Sequence, residues 1–212
     1  MADEILPGDR VEYTAEPVFD LIIETGEIGW VTRVEGDWIF AAWPRSGVHS
    51  VPVANVRLLP PEVTRVVARE PNARMWDLLG EELPPIEGRR QRDPYLYQGS
   101  HPDAVARVWE ELGKELPRDC RALAKGGKAV LAHPHSGRIF ALPHGTAYAL
   151  WLVPEDFEKA IDGGAQTAMT WSGGSVTDLR ERAGPGWIWG RWYDDEPLWV
   201  RHAYEAARQP TG

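Results

Sequence analysis

The sequence has little cysteine, few phenylalanines and no long apolar run. Its single cysteine, Cys120, excludes an internal disulfide and any zinc site built from several cysteines. No stretch approaches the roughly 18 apolar residues that a membrane-spanning helix needs. The acidic residues 1–4 are followed by no apolar segment typical of a signal peptide. We therefore expect a cytoplasmic protein without a membrane partner.

A basic excess is also missing. The chain has 23 Lys and Arg against 32 Asp and Glu, a net charge of −9. A protein that binds nucleic acid independently of sequence needs a basic surface that displaces counterions, so no nucleic-acid partner is predicted. Arg89, Arg90 and Arg92 cluster locally, and a solvated linker accounts for them. An acidic exterior instead favours a basic protein partner.

Tryptophan is the residue present in excess. The 212 residues include 11 Trp beside 4 Phe and 6 Tyr, and 43% of the chain is hydrophobic. A chain of this length and composition forms one large or two small globular domains with a sizeable core. Large aromatic side chains either fill such a core or form an exposed binding surface.

The N-terminal part, residues 7–59, has the pattern of an all-β domain. Short strands recur every 8–12 residues and are separated by glycine-rich turns, among them the hairpin sequence Glu35-Gly36-Asp37. The alternation in 38–43 places Trp38 and Trp43 on opposite faces of one strand. This spacing predicts a small β-barrel.

Several residues of this part also form a recognisable pattern: Pro7-Gly8-Asp9-Arg10-Val11, Gly26-x-x-Gly29-x-Val31, Trp43-Pro44 and Val51-Pro52-Val53-x-x-Val56-x-x-Leu59. The pattern resembles bacterial SH3-like barrels of the KOW and Tudor-like kind and covers about a quarter of the chain. The resemblance implies the fold, while such barrels bind peptides, nucleic acids or neighbouring domains. Where they bind RNA, basic residues accompany the glycine-rich turn, whereas here the turn carries Glu24 and Glu27.

Residues 128–164 predict the centre of a second domain. Three apolar runs, 129–132, 139–142 and 148–153, are separated by turn residues and indicate buried antiparallel strands. Pro154 fits the first turn of a following helix. Another helix is predicted from 101 to 116, with Trp109 on its apolar face. Ser175 to Asp178 resembles a capping box and predicts the start of a short helix.

The predicted fold class is therefore α+β. We predict an SH3-like β-barrel over residues 1–60, a linker with little regular structure over 61–100, and an α+β domain over 101–212 whose central antiparallel sheet is flanked by helices. The sequence specifies no oligomeric state.

Three imidazoles offer a possible metal site. His133, His135 and His144 would approach each other across the first hairpin in a suitable register, and three imidazoles can hold zinc with an open position. The usual signature adds a carboxylate or a defined helical spacing, which this segment lacks. A polar turn is therefore favoured, and the prediction is no metal and no cofactor.

Nucleophilic catalysis has one candidate, Cys120. Arg118 and Arg121 flank it in sequence and would favour the thiolate. The competing interpretation is a small buried hydrophobic side chain, which we favour, so no catalytic residue is assigned.

Tryptophans cluster near the C-terminus, where acidic residues follow them in 194–196. Exposed aromatics would supply apolar contact area, and the carboxylates would orient a basic partner. The predicted binding residues are Trp192, Tyr193, Asp194, Trp189 and His144.

These patterns favour a non-enzymatic binding protein that recognises a basic protein, with an immunity-like or regulatory role. The likeness to bacterial immunity proteins is one of composition. Two alternatives remain open: a small-molecule binder whose pocket lies between sheet and helices and is lined by Trp and Tyr, and a metal-dependent hydrolase using His133, His135 and His144.

Overall fold

The computed structural model describes the chain over residues 4–16, 23–60, 65–79, 106–125, 128–144, 147–172, 175–191 and 199–208. Within these stretches strands in two main sheets dominate and helices are few, so the protein has a mixed α/β fold. None of the helices described there is both long enough and apolar enough to cross a membrane.

The first sheet is formed by the N-terminal part. Its strands are β1 (Arg10–Tyr13), β2 (Ile28–Glu35), β3 (Trp38–Trp43), β4 (Gly47–Pro52) and β5 (Val56–Leu58). They are antiparallel in the order β4-β3-β2-β1-β5. A single 3₁₀ turn, Val53–Asn55, connects β4 to β5. The strands predicted in this part are confirmed to within about two residues, as expected for a pattern-based assignment.

Two positions of this sheet require glycine for different structural reasons. Gly36 adopts a φ of 58° in the two-residue hairpin between β2 and β3, a conformation that costs glycine little. At position 29, a Cβ atom would lie only 2.7 Å from the Trp43 ring, so the position requires glycine. The fully buried Trp43 therefore packs against the β2 backbone, while Trp38 is 49% exposed. The predicted opposite faces are confirmed.

The SH3-like barrel is not confirmed. Among the described residues, β4 and β5 are the two edges of the first sheet and are not paired, so the sheet is open. One face of it nevertheless forms a hydrophobic core. The buried members of that core are Val11, Tyr13, Ile23, Val31, Ile39, Ala41, Trp43 and Val51.

The second sheet has seven strands. They are β6 (Arg65–Val66), β7 (Arg121–Leu123), β8 (Ala129–Ala132), β9 (Ile139–His144), β10 (Ala147–Trp151), β11 (Gln166–Thr167) and β14 (Trp187–Arg191). Their order is β11-β14-β10-β9-β8-β7-β6. Only the β6–β7 pair among these described strands is parallel. A separate hairpin comprises β12 (Met169–Ser172) and β13 (Ser175–Asp178).

The predicted centre of the second sheet is confirmed. Strands β8, β9 and β10 are antiparallel neighbours, and all four residues of β8 are buried. The helix α1 (Pro154–Asp162) follows β10 with proline in its first turn. Glu155 and Asp156 lie at the helix N-terminus, where the backbone dipole favours negative charge.

The helix predicted from 101 to 116 ends earlier than expected. After Ala106, the described part is a π-helical segment, Arg107–Leu112, whose buried residues include Trp109 as predicted. It ends at Gly113, whose N–H donates to the Val108 carbonyl, and therefore stops before the expected proline. Residues 101–105 lie outside the described residues.

The capping-box prediction at Ser175 was wrong. Residues 175–178 form β13, and Val176 pairs with Trp171 of β12. Two β-branched residues and an adjacent partner strand favour pairing over the local cap. The helix α2 (Leu179–Ala183) begins directly after this strand, and the last helix is α3 (Val200–Ala207).

The predicted linker, residues 61–100, is described only over 65–79. This part contributes β6 to the second sheet and a 3₁₀ segment, Ala73–Leu79. The arginine cluster within 80–100 lies outside the described residues. The domain boundary after residue 60 stays a prediction.

The two sheets meet at a buried seam. Trp30 of β2 packs edge-to-face on Trp109, with ring centroids 5.2 Å apart. Beside them, the Glu110 carboxylate binds Arg10 of β1 at 3.1 Å and Arg121 of β7 at 2.9 Å. These three charged side chains are only 4–6% exposed. A buried carboxylate thus joins a cation from each sheet.

Candidate ligand-binding cleft

A cleft with a volume of about 780 Å³ lies at one end of the second sheet. At this end β9 begins, β10 ends and β14 begins, because the three strands are antiparallel. Trp151 and Trp187 pair across β10 and β14 and line its floor. The α1 residue Phe157 and the segment 70–75 form the walls.

The position of the Trp151 ring is determined by the turn before β14. Its indole N–H donates to the Pro185 carbonyl at 3.1 Å. Gly186 has a φ of 96°, and a Cβ there would lie 3.0 Å from Trp151 Nε1 and collide with the Leu152 carbonyl. Only glycine fits this close approach, so the backbone holds the indole in one orientation.

Arg138 lies over the face of Trp151. Its guanidinium carbon is 4.6 Å from the ring centroid, within the range of a cation–π interaction. The side chain is half-buried, and burial lowers the pKa of Arg138. The cation–π contact uses the face of the guanidinium, so the N–H donors around its edge remain available in the guanidinium plane.

The wall formed by the segment 70–75 is attached to the sheet by Asn72. Its side-chain amide donates to the Gly137 carbonyl at 2.9 Å, and its oxygen accepts from the Ile139 N–H at 2.9 Å. Asn72 is buried, so these bonds are shielded from water. The segment 70–75 is consequently held beside the beginning of β9.

Charge in the cleft is mixed with a small positive excess. Its lining includes three arginines and two glutamates, which leaves one net positive charge. Arg180 lies 5.9 Å from the Phe157 ring. Arg74 reaches toward the turn, where its Nη1 would be 3.3 Å from a Cβ at Gly184. In a chain of net charge −9, this excess is local.

A smaller cavity of about 360 Å³ lies at the seam between the sheets. Its charged groups bind one another: Arg45 lies 3.5 Å from both Glu24 and Glu111. Glu27 accepts hydrogen bonds from two backbone N–H groups, and burial raises its pKa. With these polar groups already partnered, the cavity is the weaker candidate for a ligand.

Of the predicted binding residues, His144 lies at the other end of the second sheet and Trp189 in the middle of β14. His144 ends β9, five residues from Ile139, which corresponds to about 17 Å along a strand. The backbone register pairs Ala147 with both His144 and Arg191. Trp189 is half-buried against the core below β14. Trp192, Tyr193 and Asp194 lie outside the described residues.

The three histidines considered as a possible metal site are only partly described. The His133 and His135 rings are 5.7 Å apart, and His133 Nδ1 accepts from the Ser136 N–H. Burial, and next the neighbouring His135, lower the pKa of His133. The described residues contain no group of three or more His, Cys, Asp or Glu arranged to hold a metal ion.

The structure reverses the electrostatic expectation for Cys120. The thiol is fully buried, and burial, followed by the charge of Asp119, raises its pKa to about 12. Arg121 lowers it by less than burial raises it, because its guanidinium is directed to Glu110. Cys120 is therefore protonated at neutral pH and is a core side chain.

Sequence analysis did not identify the main cleft residues. Arg138, Trp151 and Arg74 come from separate segments, and no spacing rule relates them. Gly184-Pro185-Gly186 was the available signal, since two glycines around a proline indicate a specialised turn.

No protein-family profile, curated protein or solved structure matches this chain.

Proposed function

We propose that the protein is a binding protein whose cleft takes a small molecule with a planar apolar part. The observation that carries the proposal is the position of the Trp151 indole, half-buried at the floor of a cleft of about 780 Å³. Ligand pockets typically have volumes of about 300–1,000 Å³ and combine aromatic walls with a few oriented polar groups.

The construction of the cleft supports this proposal. Trp151 is oriented by the Pro185 carbonyl and by Gly186, and the facing wall is held by the buried Asn72. Both attachments exist before any ligand arrives. A preformed site loses little conformational entropy on binding, which favours affinity for a small ligand.

The test uses N-phenyl-1-naphthylamine, a neutral probe whose fluorescence rises in apolar sites. We expect binding to the wild-type chain and a loss of about 10-fold or more in affinity for Trp151→Ala, since aromatic contacts of this size dominate small sites. Trp38→Ala is the matched control, because Trp38 is exposed on the first sheet. Equal affinity of both variants would contradict the proposal.

A second candidate is the predicted recognition of a basic protein partner. The observation that favours it is the register of the second sheet, which places His144 and Arg191 on either side of Ala147. Arg191, the last residue of β14, directly precedes the predicted binding residue Trp192 in the sequence. Their acidic side chains would orient a basic surface.

Two finer predictions also remain proposals. Five short strands, with β5 returning beside β1 after a 3₁₀ turn, support an SH3-like architecture for the first sheet. The cytoplasmic location and the absence of a nucleic-acid partner are both proposals, and the acidic composition supports the second.

A further inference from the structure

We propose that the ligand of the Trp151 cleft carries an anionic group, a carboxylate or a phosphate, which the Arg138 guanidinium receives. This inference rests on the proposed function and adds the chemical class of the ligand. The anionic group would lie beside Arg138, and the apolar part would extend along Phe157 and Trp187.

The first argument is the state of Arg138. Its face rests on Trp151, and in the described part of the chain no carboxylate approaches it within ion-pairing distance. Burial alone accounts for its lowered pKa. A partly desolvated guanidinium has lost some of its water partners, and an anion can take their place. Its edge offers two parallel N–H donors to carboxylate or phosphate oxygens.

The second argument concerns the other charged side chains of the cleft. Arg74 also lines the cleft as a cation, but its side chain is exposed. Glu70 and Glu158 are both exposed, so water and salt screen their charges. The attraction of an anion by the half-buried Arg138 therefore outweighs its repulsion by the exposed carboxylates.

A cationic ligand fits less well. The aromatic face that would attract it is the face of Trp151, and Arg138 already occupies that face. A ligand cation would meet a like charge there, and like charges in a partly dehydrated site repel strongly. The arrangement thus selects against cations at the position where it receives anions.

The test compares 2-naphthoate with 2-naphthamide, which have the same aromatic body and differ in charge. Binding is measured by calorimetry and by the Trp151 indole N–H resonance, identified through Trp151→Phe. We expect the carboxylate to bind about 10-fold or more tightly than the amide, as for a charge-assisted hydrogen bond. In Arg138→Gln the preference for the carboxylate over the amide should disappear.

Arg33→Gln provides the matched control, because Arg33 also stacks on an aromatic ring, Phe40, at 4.0 Å but on the first sheet. It should retain the full preference. If Arg138→Gln does not fold, Arg138→Lys replaces it; it keeps the charge, loses the planar fork and should reduce the preference. The wild-type comparison does not depend on either variant.

The outcomes separate this inference from the proposed function. Equal affinities of the acid and the amide for the wild type would overturn the anionic ligand and leave the cleft as a binding site. Failure of both compounds and of N-phenyl-1-naphthylamine to bind would overturn the proposed function. A further comparison with 2-naphthyl phosphate distinguishes the anions: tighter binding than 2-naphthoate assigns a phosphate, and weaker binding assigns a carboxylate.

Discussion

Trp109 contributes both to the hydrophobic core of the second sheet and to the seam between the two sheets. It is fully buried, its indole N–H donates to the Val130 carbonyl of β8 at 3.1 Å, and its ring meets Trp30 of the first sheet. An aromatic side chain in such a position contributes packing on two sides. Its hydrogen bond also satisfies a polar group that burial would otherwise penalise.

We predict that Trp109→Ala lowers the free energy of unfolding by about 3–5 kcal/mol, the usual cost of removing a large core aromatic. The measurement is chemical denaturation followed by circular dichroism. Trp38→Ala, at a position that is 49% exposed, should change stability far less. Similar losses for the two variants would show that the segment 107–112 is not packed as described.

At the scale of elements, the two ends of the second sheet carry different residues. The ends of β9, β10 and β14 nearest α1 form the cleft, and the opposite ends carry His144, Ala147 and Arg191. Antiparallel pairing produces this separation, because each strand contributes its first residue to one end and its last to the other.

The opposite end leads to a prediction about protein recognition. If residues 192–194 bind a basic partner, the double variant Trp192→Ala/Asp194→Ala should weaken partner capture from the native host and leave the melting temperature nearly unchanged. Asp195→Ala tests the alternative, in which this residue caps the last helix, at a cost of about 1 kcal/mol.

The matched control for that experiment is Trp38→Ala/Asp37→Ala, an exposed tryptophan beside an exposed aspartate on the first sheet. It removes the same chemical groups from another surface and should leave capture intact. Recovery of the same proteins by the wild type and by the 192/194 variant would contradict a binding role for these residues.

At the scale of the whole molecule, the buried Glu110 joins the two sheets. It accepts from Arg10 on one side and Arg121 on the other, and neither arginine is more than 5% exposed. Breaking a buried ion pair leaves an uncompensated charge in a medium that solvates it poorly. The carboxylate is therefore required for both cations to remain buried.

We expect Glu110→Gln to destabilise the protein by about 3–5 kcal/mol, measured by urea denaturation. Glu115→Gln is the matched control, since Glu115 is 77% exposed and pairs with Arg201, which is 70% exposed. A surface pair of this kind contributes about 0–1 kcal/mol. If the two variants unfold at the same urea concentration, the ionic seam is not a major source of stability.

Local patterns predicted much of the secondary structure. The apolar runs 129–132 and 139–142 became β8 and most of β9, and Pro154 began α1. Each of these signals acts over a few residues, through burial, turn geometry or a missing N–H. The same local logic failed at Ser175, where a partner strand outweighed a capping pattern.

By itself, the sequence determined the composition and the local elements: one cysteine, a net negative charge, and short strands separated by turns. Only the tertiary structure decided where its tryptophans and arginines act. Arg138, Trp151 and Gly186 meet because the antiparallel register of three strands brings distant segments to one sheet end. Such register depends on pairing between whole strands, and no spacing along the chain encodes it.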